Sequence, residues 1–154
     1  MKEKDLANNQ NTAFKSGFVA ITGRPNVGKS TLLNAFLGRK ISIVSPKPQT
    51  TRDKISGILT TDSYQIVFED TPGINNKKDG LSKYMQKCIN AALGGGDIIL
   101  LVIDAFKGLS ETEEEILDKY GSSPNFICAV NKTDAAKADK VMPLLSLLSQ
   151  KTNG

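Results

Sequence analysis

The sequence predicts a doubly wound α/β fold, a mostly parallel sheet with one antiparallel hairpin strand. Three observations carry that expectation. Apolar runs of strand length alternate along the chain with segments of helical spacing, as in a series of strand–helix repeats. Four of these runs end in Gly23, Asp70, Asp104 and Asn131, residues suited to leaving a buried sheet. Two runs, 55–60 and 64–69, are separated only by Thr61-Asp62-Ser63, a connection too short for a parallel crossover and right for a hairpin. The 154 residues are one domain's worth of chain.

Taken in order, residues 1–16 are polar, rich in Asn, Lys and Gln, and are expected to form a flexible arm. That leaves 17–154 as the domain. Phe18–Ile21 reads as a first buried strand. Residues 30–37 place Leu32, Leu33, Phe36 and Leu37 at helical spacing and stop at Gly38, a natural helix end. Residues 39–53 hold Pro46 and Pro48 and read as a long loop, with room for a short strand at 41–44. The hairpin follows. After a loop at 72–80, residues 81–93 have helical spacing and close on three glycines. Ile98–Ile103 is a buried run. Ser110 and Glu113 form a capping box for a helix to about Tyr120. Phe126–Val130 is a further strand, and 140–148 a last helix. Phe36, Met85, Ile89 and Met142 are expected to face the core.

Composition narrows the function. Hydrophobic residues make up 39% and charged residues 23%, an ordinary globular balance. The chain has no histidine, which excludes a Ser-His-Asp triad, a histidine-bound zinc site and histidine acid–base chemistry. Cys88 and Cys128 lie in apolar segments and read as buried, reduced thiols. The longest apolar run, Ile98–Ile103, is too short to span a bilayer. The N-terminal segment lacks an apolar signal core, so a cytoplasmic protein is expected. The net charge of +4 is unevenly spread. Arg39, Lys40, Lys47, Arg52 and Lys54 crowd one segment, and Lys77, Lys78, Lys83 and Lys87 another, which suits phosphate or an acidic partner.

Three motifs carry the chemistry. Gly23-Arg24-Pro25-Asn26-Val27-Gly28-Lys29-Ser30 fits the P-loop pattern and lies between a strand and a helix, the context that pattern requires. The loop amides and the helix N-terminus form a cradle for phosphate oxygens. Lys29 would neutralise the β- and γ-phosphates, and Ser30, followed by Thr31, would offer a hydroxyl to Mg²⁺. Asp70-Thr71-Pro72-Gly73 follows a strand. On the same sheet edge its carboxylate would hold Mg²⁺ directly or through water, and the Gly73 N–H would sense a γ-phosphate. Asn131-Lys132-Thr133-Asp134 also follows a strand. Asp134 would accept two N–H bonds from guanine, Asn131 would read the base or brace the loop, and the Lys132 stem would cover the base face. A hydroxyl from the basic loop, Thr51 in preference to Thr50, would complete the metal shell. Glu111–Glu115 reads as an acidic run in a helix's first turn that complements the dipole, with no metal site expected there, and Asp104 as a turn former or a catalytic group.

These motifs, with 41–52 reading Ile-Ser-Ile-Val-Ser-Pro-Lys-Pro-Gln-Thr-Thr-Arg, resemble the G domain of the Era family of bacterial ribosome-assembly GTPases over about residues 15–150. The Pro46–Arg52 stretch is the most specific, since the sister families Der and MnmE read differently there. The resemblance implies binding of GTP and GDP with Mg²⁺ and hydrolysis of GTP. It also implies a role in maturation of the 30S subunit and its 16S rRNA, and peripheral association with the membrane. Family G domains continue with one more strand, a Ser-Ala loop at the guanine, a last helix and an RNA-binding KH domain. The sequence stops before these, so a partial domain is expected, incomplete at its C-terminus, and no residue here carries over RNA binding. Where many Ras-like GTPases have a water-orienting Gln, this chain has Ile74, as the family does. Lys29, Thr51, Gly73 and Asn26 are then the candidate catalytic groups. The Asn26 side-chain oxygen is a candidate ligand for K⁺, which related GTPases with this Asn use. The alternative for Asn26 is a turn-stabilising side-chain bond. Rival functions are another member of the wider TrmE-Era-EngA group, a non-catalytic nucleotide sensor, or an ATP-using P-loop enzyme.

Overall fold

The structure is a computed structural model that describes residues 13–38, 55–70, 89–91 and 97–153, apart from the side chains of Ile55, Ser56 and Asp70. Its elements are β1 (Lys15–Thr22), α1 (Lys29–Leu37), β2 (Ile55–Thr60), β3 (Tyr64–Asp70), β4 (Ile98–Asp104), α2 (Glu111–Tyr120), β5 (Phe126–Asn131) and α3 (Ala138–Lys151). The strands form one sheet in the order β2-β3-β1-β4-β5. β1 pairs in parallel with β3 and β4, and β4 with β5, while β2 and β3 form the antiparallel hairpin. The expected doubly wound sheet with a single antiparallel excursion is what the chain adopts.

β4 shows why its sequence is an unbroken apolar run. Ile99, Leu101 and Ile103 face one side, where they pack with Ile89, Ile116, Leu117, Tyr120, Leu144 and Leu148. Leu100 and Val102 face the other, with Ile21, Val27, Leu33 and Phe68. A parallel strand covered on both faces has no solvent side to spend polar residues on. Truncating one of these buried side chains to Ala costs about 2–5 kcal/mol. α1 therefore covers one face, and α2 and α3 the other.

Several boundaries differ from the sequence reading. β1 begins at Lys15, inside the segment expected to be the arm, because Lys15 and Ser16 pair with Tyr64 and Gln65 across the sheet. Asp70, Asp104 and Asn131 are the last residues of their strands rather than the first of the loops. α3 runs from Ala138 to Lys151, longer than 140–148, with Pro143 inside it. Two residues expected in the core are exposed. Phe36 stacks on Phe68 at 5.6 Å but leaves 44% of its surface in solvent, and Met142 leaves 64%. Ile89 is buried as expected and sits in a helical stretch. The strand expected at 41–44, most of the helix at 81–93, Met85 and Cys88 lie outside the described residues.

Candidate functional site

β1 has β3 on one side and β4 on the other, so the sheet's connections diverge at its carboxyl end. Ligands of doubly wound sheets bind at that switch point. There the chain leaves β1 at Thr22 and enters the loop 23–28 before α1. Two glycines make this path possible. Gly23 has φ 146°, and a Cβ on it would stand 2.4 Å from the Val102 carbonyl oxygen. Gly28 has φ 102°, and its Cβ would stand 2.1 Å from Asn131 Nδ2. A side chain at either position would push the loop off the neighbouring strand ends. Between them Val27 is fully buried under α1, while Pro25 and Asn26 are exposed, the latter at φ 64°, which Asn tolerates.

Gly28 is also the N-cap of α1, and no side chain caps that end. First-turn amides and the helix dipole there suit an anion. Lys29 Nζ donates to the carbonyls of Gly23 and Arg24, both at 2.8 Å, which draws its ammonium over the loop. Ser30 and Thr31 are exposed in the same turn. A hydroxyl there and a carboxylate at the end of β3 are hard oxygen donors of the kind Mg²⁺ takes. The Asp70 backbone stands opposite Ile21 of β1 in the sheet register. The Asp70 side chain and residues Thr50, Thr51, Thr71, Pro72, Gly73 and Ile74 lie outside the described set.

The second loop follows β5. Asn131 Nδ2 donates to the Val27 carbonyl at 2.8 Å, so this residue braces the phosphate loop. Lys132, at φ 59°, sends its ammonium to the Asn26 carbonyl at 2.6 Å and to Asp104 Oδ2 at 2.8 Å. Asp104 Oδ1 accepts from the N–H groups of Phe106 and Lys107, at 2.9 and 3.2 Å. Asp104 is thus a turn former and an ion-pair partner, with both oxygens engaged. Burial raises its pKa, but the Lys132 hydrogen bond, the two N–H donors and the Lys132 charge together bring it below the ordinary carboxylate value. Asp134 lies exposed two residues beyond Lys132. The loop 23–28 and the loop after β5, about 100 residues apart in sequence, are therefore bonded side chain to backbone.

The acidic run at 111–115 holds a surprise. Glu113 is fully buried. Its Oε2 accepts from the Ser110 N–H at 2.9 Å and from Ser110 Oγ at 3.0 Å, which confirms the capping box. Its Oε1 accepts from Arg24 Nε at 3.0 Å, and Arg24 Nη2 donates to the Gly108 carbonyl. Stranding one charge of a buried pair costs about 3–5 kcal/mol. Sequence reading missed this pair because a first-turn Glu has a sufficient local explanation in the helix dipole. Cys128 is free and half-buried. Burial pushes its thiol up to about 11, so it stays protonated at neutral pH. No helix among the described residues is long and apolar enough to cross a membrane.

A mostly parallel sheet with a glycine-bounded loop before a helix at its switch point defines a P-loop nucleotide-binding domain of the α/β class. The chain belongs to the family of 50S ribosome-binding GTPases, whose profile matches residues 18–132. It is 51% identical over 140 residues to the GTPase Era of Caldicellulosiruptor saccharolyticus, covering 89% of this chain and 46% of that protein. Among solved structures it is similar to Era in complex with MgGDPNP and nucleotides 1506–1542 of 16S ribosomal RNA. That match has a TM-score of 0.65 and 39% identity, over 91% of this chain and 49% of the other. It is also similar to a variant of Aquifex aeolicus Era bound to GDP·AlF₄⁻, with a TM-score of 0.63 and 41% identity, over 90% and 48% of the two chains. The chain spans about half the length of the curated relatives it matches.

Proposed function

We propose that this chain binds GTP with Mg²⁺ and hydrolyses it to GDP and phosphate, alternating between the two nucleotide states as a switch. The observation that carries the proposal is the bonding of the base loop to the phosphate loop through Asn131–Val27 and Lys132–Asn26. It ties the loop that carries Asp134 to the loop 23–28, which supports reading the two as parts of one nucleotide site. In this reading the amides of Gly23–Thr31 and the Lys29 ammonium hold the phosphates. Ser30, Thr51 and Asp70 supply oxygens to Mg²⁺, which when bound offsets charge on the β- and γ-phosphates. The Gly73 N–H, which follows Asp70-Thr71-Pro72 in sequence, would sense the γ-phosphate. Asp134 selects guanine, with Lys132 over the base. Ile74 has no hydrogen-bonding group to orient water, so hydrolysis needs another source of positioning, and a cation held by Asn26 would add to the stabilising charge.

The similarity to Era proteins, one of them solved with a stretch of 16S rRNA, supports maturation of the small ribosomal subunit as the process served. The 30S subunit and 16S rRNA are then the partners and the cytoplasm the place of action.

The test is competition against a fluorescent GDP, followed by single-turnover phosphate release. GTP should compete and ATP should not, and phosphate should appear from bound GTP. Binding without phosphate release would replace the enzyme with a nucleotide sensor. Asp134→Asn should move preference from GTP toward xanthosine triphosphate, because the new amide donates to the 2-oxo group of xanthine. Unchanged GTP selectivity would remove the base-reading role.

A further inference from the structure

We infer that Glu113 is a positioning residue for the phosphate loop, acting through Arg24. The inference rests on the nucleotide-site reading above. Arg24 is the second residue of that loop, yet its guanidinium turns away from the cradle. Nε goes to Glu113 Oε1 at 3.0 Å and Nη2 to the Gly108 carbonyl. The Arg24 side chain is 16% exposed and that of Glu113 not at all. A planar guanidinium held at two points has little freedom left, so the backbone at Arg24 is fixed relative to α2. α2 in turn is anchored by Ile116, Leu117 and Tyr120 in the core.

Glu113 divides its oxygens between the two jobs. Oε2 holds the Ser110 cap and Oε1 holds the loop. The far half of the same loop is held from the other side, Asn26 by Lys132 and Val27 by Asn131. The Arg24–Glu113 pair is the matching restraint on the near half. A loop whose amides are already aimed binds a phosphate without first losing the entropy of being ordered. Arg24 is accordingly a strut, and Lys29 is left as the loop's phosphate-facing cation.

The test separates a positioned loop from a stabilised helix. Glu113→Gln keeps an oxygen for Ser110 and removes the charge. The double variant Arg24→Met with Glu113→Gln removes both charges and strands neither. Amide exchange is read across residues 23–28 and 111–120 in the nucleotide-free chain, together with affinity for fluorescent GDP. Exchange in the loop should rise and GDP binding should weaken by about tenfold in both variants, in the range for residues coupled in one network. Exchange in α2 should stay as in the wild type in the double variant. Loop exchange equal to the wild type in the double variant overturns the inference. So does α2 loosening as much as the loop, which would make the pair a helix support. A wild-type chain that does not bind GDP overturns the nucleotide reading, and the exchange data still decide the role of Glu113.

Discussion

At Asp104 both carboxylate oxygens are taken, one by the turn amides of Phe106 and Lys107 and one by Lys132. Burial opposes ionisation there, and the Lys132 hydrogen bond, the amides and the Lys132 charge overcome it, so the pKa lies below the ordinary 3.8. A pKa depressed by folding gives stability that is complete above the unfolded value and is lost as pH falls through the folded one. Asp104→Asn should lower stability at neutral pH and should reduce the further loss between roughly pH 5 and 2. Urea unfolding at a series of pH values measures this, and parallel pH curves for the two proteins would count against it. Asn26 presents a second residue-level test. Its carbonyl is taken by Lys132, and its exposed side chain is the group proposed to ligate K⁺. Turnover should rise several-fold in KCl over NaCl at equal ionic strength, and Asn26→Ala should abolish the difference. Equal rates in both salts, with measurable hydrolysis, would leave Asn26 a turn residue.

α2 begins at a cap written within four consecutive residues, and that locality made it readable. The Ser110 hydroxyl accepts from the Glu113 N–H and donates to Glu113 Oε2. Ser110→Ala should therefore cost about 1 kcal/mol, seen as a lower urea midpoint with an unchanged slope. No loss would mean the Glu113 bond to the Ser110 N–H suffices alone. The same glutamate's bond to Arg24 spans 89 residues, and nothing local announces it. α3 shows a different failure. It starts after Lys137 with no side-chain cap, so its beginning left no signal to read. Pro143 marks neither end of it. Phe36 and Met142 have helical spacing but lie on the partly solvated flanks of α1 and α3, where apolar identity does not ensure burial. β1 gained its first residues from a partner strand in β3, a tertiary effect that its own residues do not encode.

Across the whole molecule, the parallel strands explain why the meeting of two of the motifs was legible where the boundaries were not. β1, β3, β4 and β5 all point the same way, so any motif that follows one of these strands is delivered to a single edge. The motifs that follow β1 and β5 meet there, Asn131 and Lys132 bonding to the Val27 and Asn26 carbonyls. On the β4–β5 side Asp104 stands opposite Asn131 in register and the Ala105 N–H donates to the Asn131 carbonyl at 2.9 Å. On the other side β3 ends at Asp70, opposite Ile21 and one pair short of the end of β1. In sequence, Asp70 is followed by Gly73 and then by the basic residues Lys77 and Lys78. A γ-phosphate with Mg²⁺ would give these residues, and Thr51 with its basic neighbours, a charge to gather around. Residues 39–54 and 74–80 should exchange amide hydrogens more slowly with a non-hydrolysable GTP analogue and Mg²⁺ than with GDP, while β4 and β5 exchange equally in both. Equal exchange of the two segments in both states would contradict the switch, because a nucleotide that orders nothing differently in its two forms has no differential contact through which to signal.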